Sequence, residues 1–299
     1  MKSRRVFALC LVMVLVFSAC TPQATPAPTA APTVVPAATA TPEPTATATA
    51  VPTPTDTQPP AVTLNVFAAA SLTAAFGEIG KAFEAAHPWV TITFNFAGSQ
   101  ALAAQINAAA PADVFASANN TQMGVVTKAG RIELSAPKPF VNNRLVVIYP
   151  KANPAGLQTL QNLAKPGVKL VLADKSVPVG QYAVSFLDNA VKDASFGVTY
   201  KADVLKNVVS YELDVKSVLT KVELGEADAG IVYTTDAATD TTGQTGQLAI
   251  PDNLNVIAVY PIAVVKDSPN LSMAQTFVDY VLSTDGQAIL TKYGFIPIQ

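Results

Sequence analysis

The chain has 299 residues, of which half are hydrophobic and only 13% are charged, with a formal net charge of −2. This balance excludes a protein that binds nucleic-acid phosphates through many lysines and arginines. The length is sufficient for two compact units of ordinary domain size.

The first twenty residues are predicted to be a secretory signal. The basic stretch MKSRR precedes the apolar run VFALCLVMVLVF, which is too short for a typical membrane span. The following FSAC resembles a bacterial lipoprotein signal, in which cleavage leaves Cys20 as a lipid-bearing N-terminus. This resemblance predicts an extracytoplasmic protein anchored to the cell membrane by lipidated Cys20. A plain secretory signal with cleavage nearby is the alternative.

Cysteine usage and a proline-rich segment fit that location. The cysteines are Cys10 and Cys20, so a mature chain that starts at Cys20 has no thiol for a disulfide, a metal site or a nucleophile. Residues 21–60 are mostly Pro, Thr and Ala, a composition that cannot bury a core. We predict a disordered tether there, with an upper reach on the order of 120 Å at about 3.1 Å per residue.

From residue 61 onward, predicted strands and helices alternate. VTLNVFAAA predicts a strand, and SLTAAFGEIGKAFEAAH predicts a helix with apolar residues at i, i+3, i+4 and i+7. VTITFNFAG, SQALAAQINAAA and later apolar runs such as KLVLAD and AGIVYTT continue this order. The pattern predicts an α/β fold with mainly parallel sheets, in which ligands bind at the carboxyl ends of strands beside helix starts.

Two serines stand where a predicted strand ends and a helix begins. Ser71 follows VFAAA, and Ser99 follows NFAG. Serine is a favoured helix cap, so capping alone is one interpretation of each residue. Helix starts also present free amides and a positive dipole end, so the repeated position suggests an anion site.

A series of short motifs resembles the periplasmic molybdate-binding protein family, the solute-binding components of molybdate ABC transporters. The motifs cover about residues 62–297 and are VFAAASLTAAF, FAGSQALAAQI, APADVFASA, VPVGQYA, DVKSVL, AGIVYTTDA, YPIAVV and YGFIP. The motif YGF alone is weak evidence for the family. The combination of AAASL, a second helix that begins with serine, and GIVY is specific evidence. The resemblance implies a type II flytrap, with two lobes of mainly parallel sheet and flanking helices that close around a tetrahedral oxyanion.

The resemblance also implies five ligand-binding residues. Ser71 and Ser99 match two serine ligands, and Tyr233 in GIVY matches a tyrosine whose hydroxyl reaches the anion. Val179 in VPVG and Val215 in DVK match positions that donate backbone amides. None of the five is charged, so the anion would be held by neutral donors, each contributing roughly 1.5–3 kcal/mol.

The expected organisation of the chain follows from the same motifs. Residues 1–20 form the signal peptide and 21–60 the tether. The first lobe takes 61–141 together with 266–299, and the second lobe takes 142–265. We expect the hinge near Asn142 and Lys266, where a few residues absorb the closing motion.

Other polar residues are interpreted as structural. The single histidine, His87, lies at a predicted helix end and has no cysteine partner for a metal site. Asp113 is expected to fix local amides, Asp214 to start a helix and Asp228 to lie in a loop. The sequence has no GxxxxGK phosphate loop, which argues against the transporter's ATPase.

The sequence therefore predicts a monomeric, non-enzymatic protein that binds molybdate and tungstate without a cofactor. It would deliver them to a membrane ABC permease with its ATPase. The nearest alternative is a binding protein for another tetrahedral oxyanion, such as sulfate or phosphate. A secreted hydrolase using Ser71 or Ser99 fits less well, because the GxSxG elbow is absent and the one histidine is badly placed. A signalling or adhesion receptor on a long stalk is a third alternative.

Overall fold

A computed structural model describes residues 59–240 and 243–298. The predicted signal peptide, the lipidation site Cys20 and residues 21–58 of the predicted tether lie outside the described residues. Within the described ranges, the chain forms two β-sheets that are flanked by helices. No helix there is both long enough and apolar enough to cross a membrane.

The secondary structure alternates as predicted. The strands are β1 (Val62–Ala69), β2 (Val90–Ala97), β3 (Val114–Ala116), β4 (Lys138–Asn143), β5 (Leu145–Pro150), β6 (Leu170–Ala173), β7 (Val208–Glu212), β8 (Ala229–Tyr233), β9 (Thr245–Ala249), β10 (Ala258–Val264) and β11 (Ile296–Pro297). The helices are α1 (Thr73–Ala86), α2 (Ser99–Asn107), α3 (Asn120–Lys128), α4 (Pro178–Ala190), α5 (Tyr200–Lys206), α6 (Val215–Glu223), α7 (Thr234–Ala238), α8 (Leu271–Leu282) and α9 (Thr284–Lys292). Short 3-10 turns occupy Ala70–Leu72 and Leu160–Ala164.

Both sheets are mixed rather than mainly parallel. The first has the order β11-β4-β10-β3-β1-β2, and the second has the order β7-β6-β8-β5-β9. Parallel pairing is confined to β1 with β2 and β3, and to β6 with β7 and β8. Those strands are joined by helices, which supply the long crossover that a parallel pair needs. The remaining pairs are antiparallel, and they involve the strands through which the chain enters and leaves each sheet.

The sheets define two lobes and correct one predicted boundary. The chain leaves the first sheet after β4 and enters the second at β5, with Arg144 between them. It returns between β9 and β10, because β10 pairs with β3 and β4 of the first sheet. The predicted return near Lys266 is therefore too late. The apolar run LNVIAVYPIAVVK carries no signal of which sheet it joins, so the sequence could not place this crossing.

Helices cover each sheet within its own lobe. Helices α1, α2, α3, α8 and α9 pack in the first lobe, and α4 to α7 pack in the second. An aromatic cluster joins distant parts of the first lobe, since Phe76 on α1 packs against Phe94, Phe140 and Phe277. Full burial of each such ring stabilises the fold by roughly 1.5–3 kcal/mol. Helix α8, which carries Phe277, is thereby fixed to the first lobe.

Candidate functional site

A small cavity lies between the two lobes, and all five residues proposed from the sequence line it. The space within it that the centre of a water molecule can occupy is about 10 Å³. That size suits one small group rather than an organic molecule. Among the described residues, the lining consists of Ala69, Ala70, Ser71, Ala97, Gly98, Ser99, Ala118, Val177, Pro178, Val179, Val215 and Tyr233. The structure therefore brings residues from 69 to 233 together at one point.

Helix starts from both lobes meet at this cavity. Ser99 is the first residue of α2, Val179 the second of α4 and Val215 the first of α6. Ser71 lies in the 3-10 turn that links β1 to α1. The first amides of a helix have no acceptor within it and carry the positive end of its dipole. Three helices of nine or more residues thus direct donors to one place, an arrangement suited to an anion.

Neither serine caps its helix. The Ser71 hydroxyl lies 2.9 Å from the Tyr260 hydroxyl, and Ser99 Oγ accepts from the Ala118 amide at 3.0 Å. Neither side chain makes a capping hydrogen bond to the first turn. The capping interpretation is therefore wrong for both residues. Because the Ser99 oxygen already accepts a hydrogen bond, its own proton is available to a group in the cavity.

The serines also lack the partners that a hydrolase needs. Among the described residues, no histidine or carboxylate is hydrogen-bonded to Ser71 or Ser99. The single histidine, His87, instead bonds the Phe83 carbonyl at the end of α1 and stacks on the Phe83 ring. A serine nucleophile requires a base within hydrogen-bond reach, so this geometry does not support the hydrolase alternative.

Tyr233 ends β8 with its side chain buried at 1% exposure. Its hydroxyl has no hydrogen-bond partner of ordinary geometry in the described part of the chain, although the Tyr260 hydroxyl is close enough to influence it. Burial raises the pKa of Tyr233 well above its usual value, so the phenol stays protonated. An unsatisfied buried hydroxyl costs about 1–3 kcal/mol. A ligand oxygen in the cavity would remove that cost.

Among the residues that the structure describes, no charged side chain lines the cavity. The carboxylate of Asp236, close to Tyr233 along the chain, is fully buried and pairs with Lys216 Nζ at 2.9 Å. Burial raises the pKa of Asp236, and Lys216 opposes that shift. In residues 59–240 and 243–298, no cluster of three or more His, Cys, Asp or Glu could hold a metal cation. The local field therefore comes mainly from helix ends and hydroxyls.

Three amide side chains of the first lobe donate hydrogen bonds to the second lobe. The pairs are Gln100 Nε2 to the Leu213 carbonyl at 2.8 Å, Asn119 Nδ2 to Gln181 Oε1 at 3.0 Å and Gln122 Nε2 to the Ser176 carbonyl at 3.1 Å. These bonds join the lobes, and the five proposed site residues are all buried. The structure is therefore a closed form, in which a ligand is shielded from water.

Gly98 permits the close approach of the lobes at one edge of the cavity. A methyl group added to Gly98 would lie only 2.4 Å from the Leu213 carbonyl oxygen of the second lobe. The backbone of Gly98 has φ −59° and ψ 136°, which other residues adopt readily. The glycine is therefore required by the contact between the lobes and not by its own backbone conformation. The sequence contained no signal for this contact.

The acidic residues that were interpreted as structural accept hydrogen bonds from backbone amides that do not line the cavity. Asp113 accepts from the Asn65 amide, and Asp228 accepts from the Lys169 amide in a loop. The Asp214 side chain caps α6 by accepting from the Ser217 amide at 3.0 Å. These three interpretations are confirmed. The cap also fixes the start of α6, where Val215 enters the lining.

Comparison with known proteins identifies similar chains across this region. The family described as bacterial extracellular solute-binding protein matches residues 64–296. A molybdate-binding protein ModA of Mycobacterium tuberculosis is 39% identical over 235 residues, covering 79% of this chain and 85% of that protein. A putative ABC transporter substrate-binding lipoprotein of Bacillus subtilis is 33% identical over 234 residues, covering 78% of this chain and 86% of that protein.

Solved structures are similar as well. The substrate binding domain of a putative molybdenum ABC transporter from Clostridium difficile shares 30% identity, with a TM-score of 0.59 over 80% of this chain and 100% of that domain. A sulfate-binding protein of Mycobacterium tuberculosis has a TM-score of 0.72 over 80% of this chain and 88% of its own, at 16% identity. At that identity the likeness shows the fold alone, which is the two-lobed fold of periplasmic binding proteins.

Proposed function

The chain belongs to the bacterial extracellular solute-binding protein family, and from that membership we propose that it binds molybdate and tungstate outside the cytoplasm. It then delivers them to a membrane ABC permease with its ATPase. The observation that carries this proposal is the closed cavity lined by Ser71, Ser99, Val179, Val215 and Tyr233. The relatives named as molybdate-binding proteins support the choice of anion.

The proposed binding uses neutral donors only. The hydroxyls of Ser71, Ser99 and Tyr233 and the first amides of α4 and α6 would surround the oxyanion. A hydrogen bond to a charged group contributes roughly 1.5–3 kcal/mol, about twice the value between neutral groups. Lysine or arginine would add charge, but each carries a large cost of burial in so enclosed a site. Donors from both lobes also link binding to closure.

The proposed protein does no chemistry and acts as a monomer. The family comprises solute-binding proteins, and neither serine in the cavity is hydrogen-bonded to a general base within the described ranges. All cavity residues come from one chain, so the site needs no second copy. Transport would instead depend on the open and closed forms having different affinities for the permease.

Native mass spectrometry of the chain with molybdate and with tungstate tests the proposal. We expect one oxyanion per monomer in both cases, at similar occupancy, because the two anions have nearly the same size and charge. The matched control is the Ser71→Ala Ser99→Ala double variant, which should bind either anion much less. Absence of both adducts, or equal occupancy in the double variant, would refute the proposed site.

We further propose that lipidated Cys20 anchors the chain to the cell membrane. This proposal rests on FSA before Cys20 and on the similarity to a relative described as a putative lipoprotein. A single acyl chain binds membranes only marginally, so stable attachment requires further acyl chains on the same residue. The long Pro, Thr and Ala segment would then let the binding domain reach the permease.

Replacing Cys20 tests this anchor. In Cys20→Ser the protein should move from the membrane fraction to the medium, whereas Cys10→Ser should leave it in the membrane fraction. Cys10 is a suitable control because it is the other cysteine of the chain and lies within the predicted signal. Fractionation followed by immunoblotting measures both. A Cys20→Ser protein that stays with the membrane would contradict lipid anchoring.

A further inference from the structure

A chain of buried hydrogen bonds extends from the cavity to the crossing between the lobes. Ser71 Oγ lies 2.9 Å from the Tyr260 hydroxyl, which lies 3.4 Å from Asn143 Nδ2. Asn143 Nδ2 also donates to Thr235 Oγ1 at 2.8 Å. Tyr260 and Asn143 are each 0% exposed, and neither lines the cavity. Their polar atoms are therefore fixed behind the surface that would touch a ligand.

The donor and acceptor roles in this series of hydrogen bonds are set at Asn143. Its Oδ1 accepts from the Arg144 amide at 2.9 Å and from the Thr234 hydroxyl at 3.2 Å. A backbone amide can only donate, so this contact fixes which end of the Asn143 amide is oxygen. The opposite end, Nδ2, must then act as donor toward Tyr260. The Tyr260 oxygen is thus an acceptor for Asn143.

Two hydroxyl oxygens lie near the Tyr260 hydroxyl, those of Ser71 and Tyr233, and within the described residues only the Ser71 contact has ordinary hydrogen-bond geometry. Ser71 Oγ is at 2.9 Å, a typical distance for a hydroxyl pair. Burial raises the pKa of Tyr260 above its usual value, so the phenol keeps its proton. When Ser71 Oγ accepts from Tyr260, the Ser71 proton is left to point elsewhere. Ser71 lines the cavity, so that proton is available to an anion oxygen there.

We infer that Tyr260, oriented by Asn143, is a positioning residue that holds the Ser71 hydroxyl as a donor toward the anion and so disfavours anions that carry a proton. The inference rests on the proposed oxyanion function and deepens it by naming a selectivity residue outside the cavity. A free serine hydroxyl can either donate or accept. A hydroxyl that donates to the anion and whose oxygen already accepts from Tyr260 is poorly placed to accept the proton of hydrogen phosphate as well.

Other groups around the cavity are also arranged as hydrogen-bond donors. The Ser99 oxygen already accepts from the Ala118 amide, and the amides of α4 and α6 only donate. A protonated anion would therefore meet donors on most sides, and its proton would find few acceptors besides the Tyr233 hydroxyl, which has no partner of ordinary geometry in the described part of the chain. Loss of the Tyr260 hydroxyl should let Ser71 rotate, weakening molybdate binding while easing the penalty on hydrogen phosphate.

A double-mutant cycle tests the inference by calorimetry with molybdate. We expect Tyr260→Phe to weaken binding about tenfold, and the Ser71→Ala Tyr260→Phe double variant to bind no more weakly than Ser71→Ala alone. The ratio of molybdate to phosphate affinity should fall in Tyr260→Phe, with phosphate titrated near neutral pH. A loss of packing would affect both anions equally, so the ratio separates positioning from structure.

Tyr200→Phe is the matched control. Tyr200 is 2% exposed, lies in the second lobe and donates to the Leu160 carbonyl at 2.6 Å. Its loss removes a buried hydrogen bond of similar kind but should leave both affinities unchanged. Additive losses in the double variant, or an unchanged affinity ratio in Tyr260→Phe, would overturn the inference. A wild-type chain that binds neither anion would instead overturn the proposed function on which the inference rests.

Discussion

Ser71→Ala and Ser99→Ala should each weaken molybdate binding by roughly ten- to hundredfold, because each removes a charge-assisted hydrogen bond of about 1.5–3 kcal/mol. Both hydroxyls line a closed cavity that has no charged side chain to compensate. Neither serine caps a helix, so the loss of affinity cannot be attributed to a frayed helix start.

The two variants should differ in stability. Ser99→Ala leaves the buried Ala118 amide without its acceptor, at a cost of about 1–3 kcal/mol in the free energy of unfolding. Ser71→Ala removes the acceptor of the Tyr260 proton, but that hydroxyl can rotate toward the neighbouring Tyr233 hydroxyl, so we expect the smaller destabilisation there. Thermal unfolding without ligand would rank the two.

Calorimetry with molybdate measures the affinities, and Ser268→Ala is a suitable control. Ser268 is a buried serine of the first lobe that donates to Asp113, and it does not line the cavity. Its replacement should leave the affinity for molybdate unchanged. If Ser71→Ala and Ser99→Ala also bound molybdate normally, the assignment of both serines to the site would be wrong.

Gly98→Ala should prevent full closure and reduce affinity by about ten- to hundredfold, the equivalent of the 1–3 kcal/mol typical of an overpacked contact. The added methyl would lie 2.4 Å from the Leu213 carbonyl, which belongs to the backbone and is fixed by its place before α6. An open form has no such contact. Alanine fits the φ and ψ of Gly98, and the flexible end of Gln100, which the methyl would meet at 2.5 Å, can move away once the lobes open. The stability of the ligand-free protein should therefore change little.

Small-angle scattering separates closure from local damage. The wild type should show a smaller radius of gyration with molybdate, and Gly98→Ala should contract less at saturating ligand. Gly77→Ala is the control, since an added methyl on this glycine of α1 meets no atom within 4 Å. A Gly98→Ala protein that binds and contracts like the wild type would show that the lobes need not approach this closely.

The five residues that line the cavity were proposed from a resemblance to a known family, and that resemblance is carried by local motifs. AAASL, FAGSQ, VPVG, DVK and GIVY each place one residue near a strand end or helix start, and the fold brings these ends together. Apolar spacing likewise predicted α1, since its buried residues recur on one helical face. Each of these patterns lies within a short stretch of consecutive residues, so it can be recognised from the sequence alone.

Contacts between distant residues were not predictable. Ser71 bonds to Tyr260, which is 189 positions away, so no local pattern could have distinguished this partner from a helix cap. The return of the chain into the first sheet at β10 depends on pairing with β3 and β4, which a uniformly apolar run does not specify. The closeness of Gly98 to Leu213 likewise exists only once both lobes are folded and closed.

The central claim is that a cavity of neutral donors selects molybdate among tetrahedral oxyanions. Hydrogen phosphate brings a proton for which such a cavity offers few acceptors, and an unpaired buried donor costs about 1–3 kcal/mol. Sulfate is unprotonated near neutral pH but smaller, so its oxygens cannot reach every donor at once. The most direct test is one calorimetric series on the wild-type chain with molybdate, tungstate, sulfate and phosphate in the same buffer. The account predicts molybdate and tungstate tightest and nearly equal, sulfate clearly weaker and phosphate weakest, whereas sulfate or phosphate binding as tightly as molybdate would contradict it.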